Sequence, residues 1–416
     1  MSRKQIVILG GGTGGTMTAN RLRRRYDPDE AEIHVVDLDN RHVYQPGLLF
    51  VPFGLAHLDD VVRSRSRQLR SGIVFHEREV ESVSTERDEV VLDDGAVLSY
   101  DVLVVATGVR LQPEETEGLT GPGWNERVFT FYTPEGSAAL HGALERFSGG
   151  RLVVNLVDMP IKCPVAPLEF AFLADWYLRE RGVRNNTELV YATPLDGAFT
   201  KPIASEHLGS LLAEKEIELA TEFNAGEVDG VGGKLTSYDG RELDFDLLVT
   251  VPLHGGAGYV ERSPGLGDAL GFVPTDRGTL QTPVKPNVFA LGDATDLPTS
   301  KAGSVSHFET EVLVENIARY FSDQELDAGY DGHASCFIET GFHKALLIDF
   351  NYEIEPLPGH FPSVLGLPLL RESRMNHLGK LASQWVYWHA LLPGRDIPGI
   401  GPAMPTSGKK DLPVPA

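Results

Sequence analysis

Hydrophobic and polar positions alternate along the chain in blocks of strand and helix length. Residues 5–9 (QIVIL) form an almost unbroken apolar run, the pattern of a parallel strand covered on both faces. The turn Gly10-Gly11-Gly12-Thr13-Gly14-Gly15 comes next, then a helical stretch over about 16–25. Residues 32–36 (EIHVV) form a second strand that closes at Asp37. That order is a βαβ unit. From Ile73 to Leu98 the pattern changes to alternating runs, which predicts an antiparallel meander. Residues 101–106 (DVLVVA) are again apolar after Asp101 and end at Thr107-Gly108.

A second α/β section begins at Arg151. It has a strand (RLVVNLV), a loop over 158–167, a helix over about 168–181, and strands over 188–192 and 246–251. Residues 288–291 (VFAL) lead into Gly292-Asp293 and a helix over about 304–320. Beyond Tyr330 come two strand-like runs, proline-rich turns and an aromatic helical stretch; 402–416 read as a disordered tail. The expected fold is α/β: two Rossmann-like dinucleotide-binding domains plus a C-terminal α+β region. The first domain is split between 1–112 and 253–325, the second spans 113–252, and the C-terminal region spans 326–416. No apolar run reaches the roughly 18 residues of a membrane-spanning helix. No signal-peptide pattern precedes the first apolar run at Ile6.

Composition narrows the partners. The chain of 416 residues is 42% hydrophobic and carries a formal net charge of −22, which argues against nucleic acid. The charge is uneven. From Arg371 onward there are Arg371, Arg374, Lys380, Arg395, Lys409 and Lys410 against Glu372, Asp396 and Asp411, a local excess of +3 (6 − 3). Two cysteines, Cys163 and Cys336, make neither a disulfide scaffold nor a structural zinc site. No His/Asp/Glu set has metal-ligand spacing, so no metal is expected.

The glycine turn carries the first chemistry. Gly10-x-Gly12-x-x-Gly15 between strand and helix permits a tight turn, backbone approach to a pyrophosphate and close helix–strand packing. The helix N-terminus then offers free N–H groups to phosphate. Asp37 ends the next strand, where a carboxylate accepts from ribose hydroxyls. With Ala106-Thr107-Gly108 and the run Val288-Phe289-Ala290-Leu291-Gly292-Asp293-Ala294, the chain resembles the two-dinucleotide-binding flavoproteins. The resemblance implies FAD, held by Gly10, Gly12, Thr13, Gly15, Asp37, Val80, Ala106, Thr107, Gly108, Gly292, Asp293 and Lys301. Asp293 would bind the ribityl chain, and the helix after it would aim its amides at the isoalloxazine ring.

The middle domain lacks the second glycine fingerprint that members using NAD(P)H carry. The loop after its first strand reads Asp158-Met159-Pro160-Ile161-Lys162-Cys163-Pro164-Val165-Ala166-Pro167, and its prolines remove N–H donors. NAD(P)H is therefore not the expected donor. Cys163 stands in that loop at the start of a predicted helix, where the dipole and Lys162 favour a thiolate; the alternative is a pair of buried, inert thiols. Ile161-Lys162-Cys163-Pro164, the run Gly292 to Lys301 and Ser335-Cys336 with Thr340-Gly341-Phe342 resemble the sulfide:quinone oxidoreductase family. There, two cysteines flanking the flavin carry sulfane sulfur, roles that map onto Cys163 and Cys336. Glu169 is either a proton shuttle or a charge suited to a helix N-terminus. Lys301 either neutralises reduced flavin or is solvated at the surface. His307 and Lys344 are weaker candidates.

Leu378, Leu381, Trp385, Trp388 and Leu392 recur at helical spacing, as a core face or a membrane face. Their coincidence with the basic tail favours lipid, with residues 361–370 as a second contact. Phe342, Trp385 and Trp388 are candidate quinone-site residues. The expectation is thus an FAD-dependent sulfide:quinone oxidoreductase, peripheral on a membrane with its cytoplasmic face favoured, and with a homo-oligomer left open. The alternatives are a type II NADH:quinone oxidoreductase and a soluble flavoprotein subunit donating to a cytochrome.

Overall fold

The first sheet has five parallel strands in the order Val288–Ala290, Val102–Val105, Lys4–Leu9, Ala31–Asp37, Ile73–Glu77. These come from a computed structural model that describes residues 3–410. Ile6, Val7, Ile8 and Leu9 are all fully buried. Ile6 and Ile8 pack with Ala19, Leu22 and Ile317 on the helical side. Val7 and Leu9 pack with Val80, Val83 and Val90 on the other. Successive side chains point to opposite faces of a strand, so a sheet covered on both sides needs an unbroken apolar run. The helices on one face are Thr13–Arg25 and Gly303–Phe321. The other face carries a three-stranded antiparallel sheet, Val80–Ser84, Glu89–Leu92 and Val97–Ser99. Ile73–Glu77, expected to open that meander, instead pairs in parallel with Ala31–Asp37 at the sheet edge. The alternation of an edge strand, one side apolar and one wet, has the same period as a meander strand.

The second sheet repeats the plan in the order Val128–Phe129, Leu247–Val251, Gly150–Leu156, Thr187–Ala192, Glu218–Ala220, all parallel. Helix Ala166–Glu180 comes after its central strand, Gly150–Leu156, as Thr13–Arg25 comes after Lys4–Leu9.

The C-terminal part is a hairpin, Ala334–Gly341 with Lys344–Phe350, a short pair, Gly359–Phe361 with Leu367–Leu369, and helix Arg374–Val386. Ser373 caps that helix by accepting from the Asn376 amide at 3.0 Å. The hairpin packs against helices Ala166–Glu180 and Arg374–Val386, which brings the C-terminal part onto the helix that follows the central strand of the second sheet.

Three expectations for this region change. After Val386 the helix widens to a π-turn, Tyr387–Leu391. The extra residue rotates the end of the helix, so Met375, Leu378, Leu381 and Trp385 are exposed while Trp388 and Leu392 are buried. The basic excess is also partly internal: Lys380 pairs with Glu169 and Lys409 with Asp349, both carboxylates being buried. Residues 402–410 are not a loose tail. Met404 is buried, its amide donates to Asp331 at 3.0 Å, and Lys409 bridges to Gly359. The remainder of that tail, 411–416, lies outside the described residues. Among the described residues no helix is long and apolar enough to cross a membrane.

Candidate functional site

Each glycine of the first turn answers a different demand. Gly10 sits at φ +93°, and a Cβ there would lie 2.4 Å from the Ala106 carbonyl oxygen. A Cβ on Gly15 would lie 1.8 Å from the Gly10 carbonyl oxygen. Helix and strands therefore meet backbone to backbone. Gly12 has nothing within 4 Å of its Cβ direction, and it heads a helix with no side-chain cap and no acid in its first turn. That is an open, positive helix end. Asp37 accepts from the Gly11 amide at 2.6 Å and pairs with Arg65 at 2.6 Å. Burial raises its pKa, opposed by Arg65 and the Gly11 amide.

Residues from the far end of the chain complete this corner. His42 is buried and its pKa is pushed down to about 3, chiefly by desolvation, so it is neutral. Its Nδ1 lies 3.1 Å from the Gly11 carbonyl, which fixes that nitrogen as the donor. Nε2 then accepts from the Tyr387 hydroxyl at 2.6 Å, and that oxygen accepts from Thr13 at 2.8 Å. Trp388 packs beside His42 and Tyr44.

At the other expected cofactor segment, the Gly292 amide donates to Glu309 at 2.6 Å. Glu309 is fully buried, its second oxygen has no partner, and desolvation raises its pKa to about 7. Lys301 is buried rather than solvated. Its ammonium donates to the carbonyls of Asp293 at 3.0 Å and Thr295 at 2.7 Å, and lies 4.5 Å from the centre of the Phe272 ring. It holds the Gly292–Thr295 turn closed. Helix Gly303–Phe321 also starts with no side-chain cap and no acid in its first turn. Two free helix ends, an open glycine cradle and buried acids fit a flavin dinucleotide. Thr107 meets Tyr259 at 3.2 Å, Gly108 has open space, and Val80 lies in the meander core with its carbonyl held by Arg262 at 3.1 Å.

The loop without glycines positions Cys163. Its backbone is left-handed, φ +50°, which costs on the order of 1–3 kcal/mol for a non-glycine residue. Three bonds hold it there. Its amide donates to the Lys301 carbonyl at 2.6 Å, and its own carbonyl accepts from the Ala166 amide at 2.9 Å and the Tyr132 hydroxyl at 3.1 Å. Cys163 is half-buried and Cys336 buried. Burial raises both thiols, Cys336 to about 12, and Glu169 is the next cause for each. Burial and Glu169 favour the neutral thiol at Cys163, opposed by Lys380. Cys336 also acts on Cys163 electrostatically, so the two thiols and Glu169 share one cluster.

Glu169 does lie in the first turn of helix Ala166–Glu180, but it is engaged well beyond the helix end. It is buried, pairs with Lys380, and accepts from the Glu339 amide at 2.7 Å. The candidate quinone residues separate. Phe342 lies at the hairpin turn with Lys215 5.1 Å from its ring centre, Trp385 stacks on His389, and Trp388 is buried. His307 is buried with neither ring nitrogen hydrogen-bonded, and Lys344 is exposed. Among the described residues no cluster of three or more His, Cys, Asp or Glu is arranged for a metal.

Lys380, Glu339, Tyr132, His42, Tyr387 and Glu309 carry no role in the sequence pattern alone. Glu309 has no distinguishing local signal either, since Glu311 and Glu315 follow it in the same helix.

Fold and site define a flavin-dependent oxidoreductase with paired dinucleotide-binding folds. The family model described as pyridine nucleotide-disulphide oxidoreductase matches residues 4–153. The mitochondrial sulfide:quinone oxidoreductase of Schizosaccharomyces pombe is 29% identical over 417 residues, covering 92% of this chain and 89% of that protein. Its Mus musculus counterpart is 27% identical over 359 residues, covering 85% and 79%. The X-ray structure of the Aquifex aeolicus sulfide:quinone oxidoreductase matches with a TM-score of 0.81 at 20% identity, covering 94% of this chain and 92% of that one. Over most of its length the chain is thus similar to sulfide:quinone oxidoreductases.

Proposed function

We propose that the chain oxidises hydrosulfide to sulfane sulfur at Cys163 and Cys336 and delivers the two electrons through FAD to a quinone. The observation that carries this reading is that half-buried Cys163 and buried Cys336 both feel Glu169, and Cys163 feels Cys336, at the loop where a nicotinamide fingerprint would otherwise stand. Hydrosulfide attacks a sulfur bridging the two cysteines; one sulfur–sulfur bond forms and the other breaks, leaving one cysteine as thiolate. FAD, when bound, supplies the two-electron acceptance that lets the bridge re-form. Gly10, Gly12, Thr13, Gly15 and Asp37 hold its adenosine diphosphate half, and the Gly292–Thr295 turn, braced by Lys301, holds the other. Clamping of the Cys163 backbone keeps its sulfur in place while bonds exchange. Glu169 holds or releases a proton beside the thiols.

The exposed stripe Met375, Leu378, Leu381 and Trp385, with Val364 and Leu365 at the tip of the neighbouring short pair, supports contact with a lipid surface, the source of quinone.

The test is anaerobic titration of the flavin absorbance with sulfide, NADH and decylubiquinone in turn. Bleaching by sulfide and recovery with quinone are expected. A Cys163→Ser variant that bleaches at the parent rate would sink the cysteine mechanism, and bleaching by micromolar NADH instead of sulfide would sink the donor.

A further inference from the structure

Cys336 and Glu169 are buried, yet the reaction as a whole takes up a proton from solvent. Reducing a quinone by two electrons consumes two protons, and oxidising hydrosulfide to the sulfane level releases one. One proton per turnover must enter from solvent.

Strand Ala334–Gly341 carries Cys336 toward the centre and Glu339 three residues on. Glu339 is 1% exposed. Its amide donates to Glu169, and its carboxyl oxygens lie 3.0 and 3.1 Å from Nδ1 of His377. His377 and Lys380 sit one turn apart on helix Arg374–Val386. Lys380 pairs with Glu169 and donates to the Phe337 carbonyl at 3.3 Å, which leaves its third N–H uncommitted. The His377 side chain is 17% exposed, and its ring centre is 5.5 Å from that of His343, which is exposed at the hairpin turn. Burial therefore falls away step by step from Glu169 to His343.

We propose that Glu339 and His377 form the outer half of a proton path from solvent at the 342–343 turn to Glu169 and Lys380 beside the cysteines. The proposal rests on the quinone-reducing function above. The charged groups facing Glu339 are Glu169 from helix Ala166–Glu180, Lys380 and His377 from helix Arg374–Val386, and His343 from the turn. Two buried carboxylates and one ammonium leave one net negative charge, which a single proton cancels. Burial raises the Glu339 pKa to about 8, so near neutrality this carboxyl both takes and releases a proton. His377 Nδ1 accepts from the protonated acid and donates to the carboxylate, so one contact serves both states. Each transfer moves a proton and no electrons. The carboxyl that passes its proton inward is refilled from His377, and His377 is refilled from water.

Glu339→Gln and His377→Gln keep the hydrogen bonds and abolish titration. Holoenzyme flavin is reduced with dithionite and mixed with decylubiquinone in a stopped-flow instrument across pH 6–9, in water and in deuterium oxide. Re-oxidation by either variant is expected to slow by about tenfold or more at the alkaline end. The solvent isotope effect is expected to exceed the parent's, and Glu339→Asp to recover most of the rate. Unchanged pH profiles and isotope effects in both variants overturn the path. So does equal slowing at every pH with a fallen melting temperature, which marks a structural brace. Because dithionite is the reductant, a parent that fails to bleach with sulfide overturns the sulfide reading while this arm still decides the path.

Discussion

Cys163 shows what single residues contribute here. Its backbone is strained and tied at three points, while its thiol is held neutral by burial and by Glu169. Iodoacetamide should therefore label the oxidant-free thiols at pH 8 at least about tenfold more slowly than a free cysteine, since only the thiolate reacts; mass spectrometry of the alkylated protein measures this. Glu339 provides a stability test. Its folded-state pKa of about 8 lies above the ordinary carboxyl value of 4.5, so between those limits the native state binds a proton that the unfolded chain has lost. Stability then falls as pH rises through that window, by up to roughly 1.4 kcal/mol per pH unit. Urea midpoints at pH 5 and pH 8 should differ less for Glu339→Gln than for the parent. Buried Glu309 adds a slope of the same sign up to about 7.

At the scale of elements, the helix Arg374–Val386 does two opposite things. One side sends Asn376, His377 and Lys380 inward; the other shows Met375, Leu378, Leu381 and Trp385 to the outside. A Leu378→Ser, Trp385→Ser double variant should lose co-sedimentation with anionic vesicles while its melting temperature moves by less than about 2 °C, because exposed side chains contribute little to the core. The glycine turn is legible from the chain because its signal is local: strand, turn, helix and acid lie within 37 residues. The inner side of this helix is not. Lys380 looks like any basic residue on an amphipathic helix, and only packing against helix Ala166–Glu180 and the hairpin gives it Glu169 as a partner. Trp388 and Leu392 continue the helical period in the sequence, and one π-turn displaces them. Ile73–Glu77 reads as a meander strand because strand period does not tell a parallel edge from an antiparallel one.

At the scale of the whole molecule, the cofactor corner joins the ends of the sequence. Thr13, Tyr387 and His42 form one hydrogen-bonded chain onto Gly11. Tyr387→Phe should raise the flavin dissociation constant about fivefold, for a loss of about 1 kcal/mol per hydrogen bond, read by flavin fluorescence on release. The same pattern runs through the first sheet, whose edge strand Val288–Ala290 arrives some 280 residues after its centre.

That join has a consequence for how the protein is made. A ribosome makes the glycine turn first, and Glu309 and then Tyr387 follow only some 300 and 370 residues later. A nascent chain therefore holds a half-built flavin pocket over that interval, and firm capture of the cofactor reports that synthesis has passed Tyr387. Stalled chains ending before Tyr387 should release flavin during gel filtration, whereas those released after Lys410 should keep it; equal retention by both would refute this order of assembly.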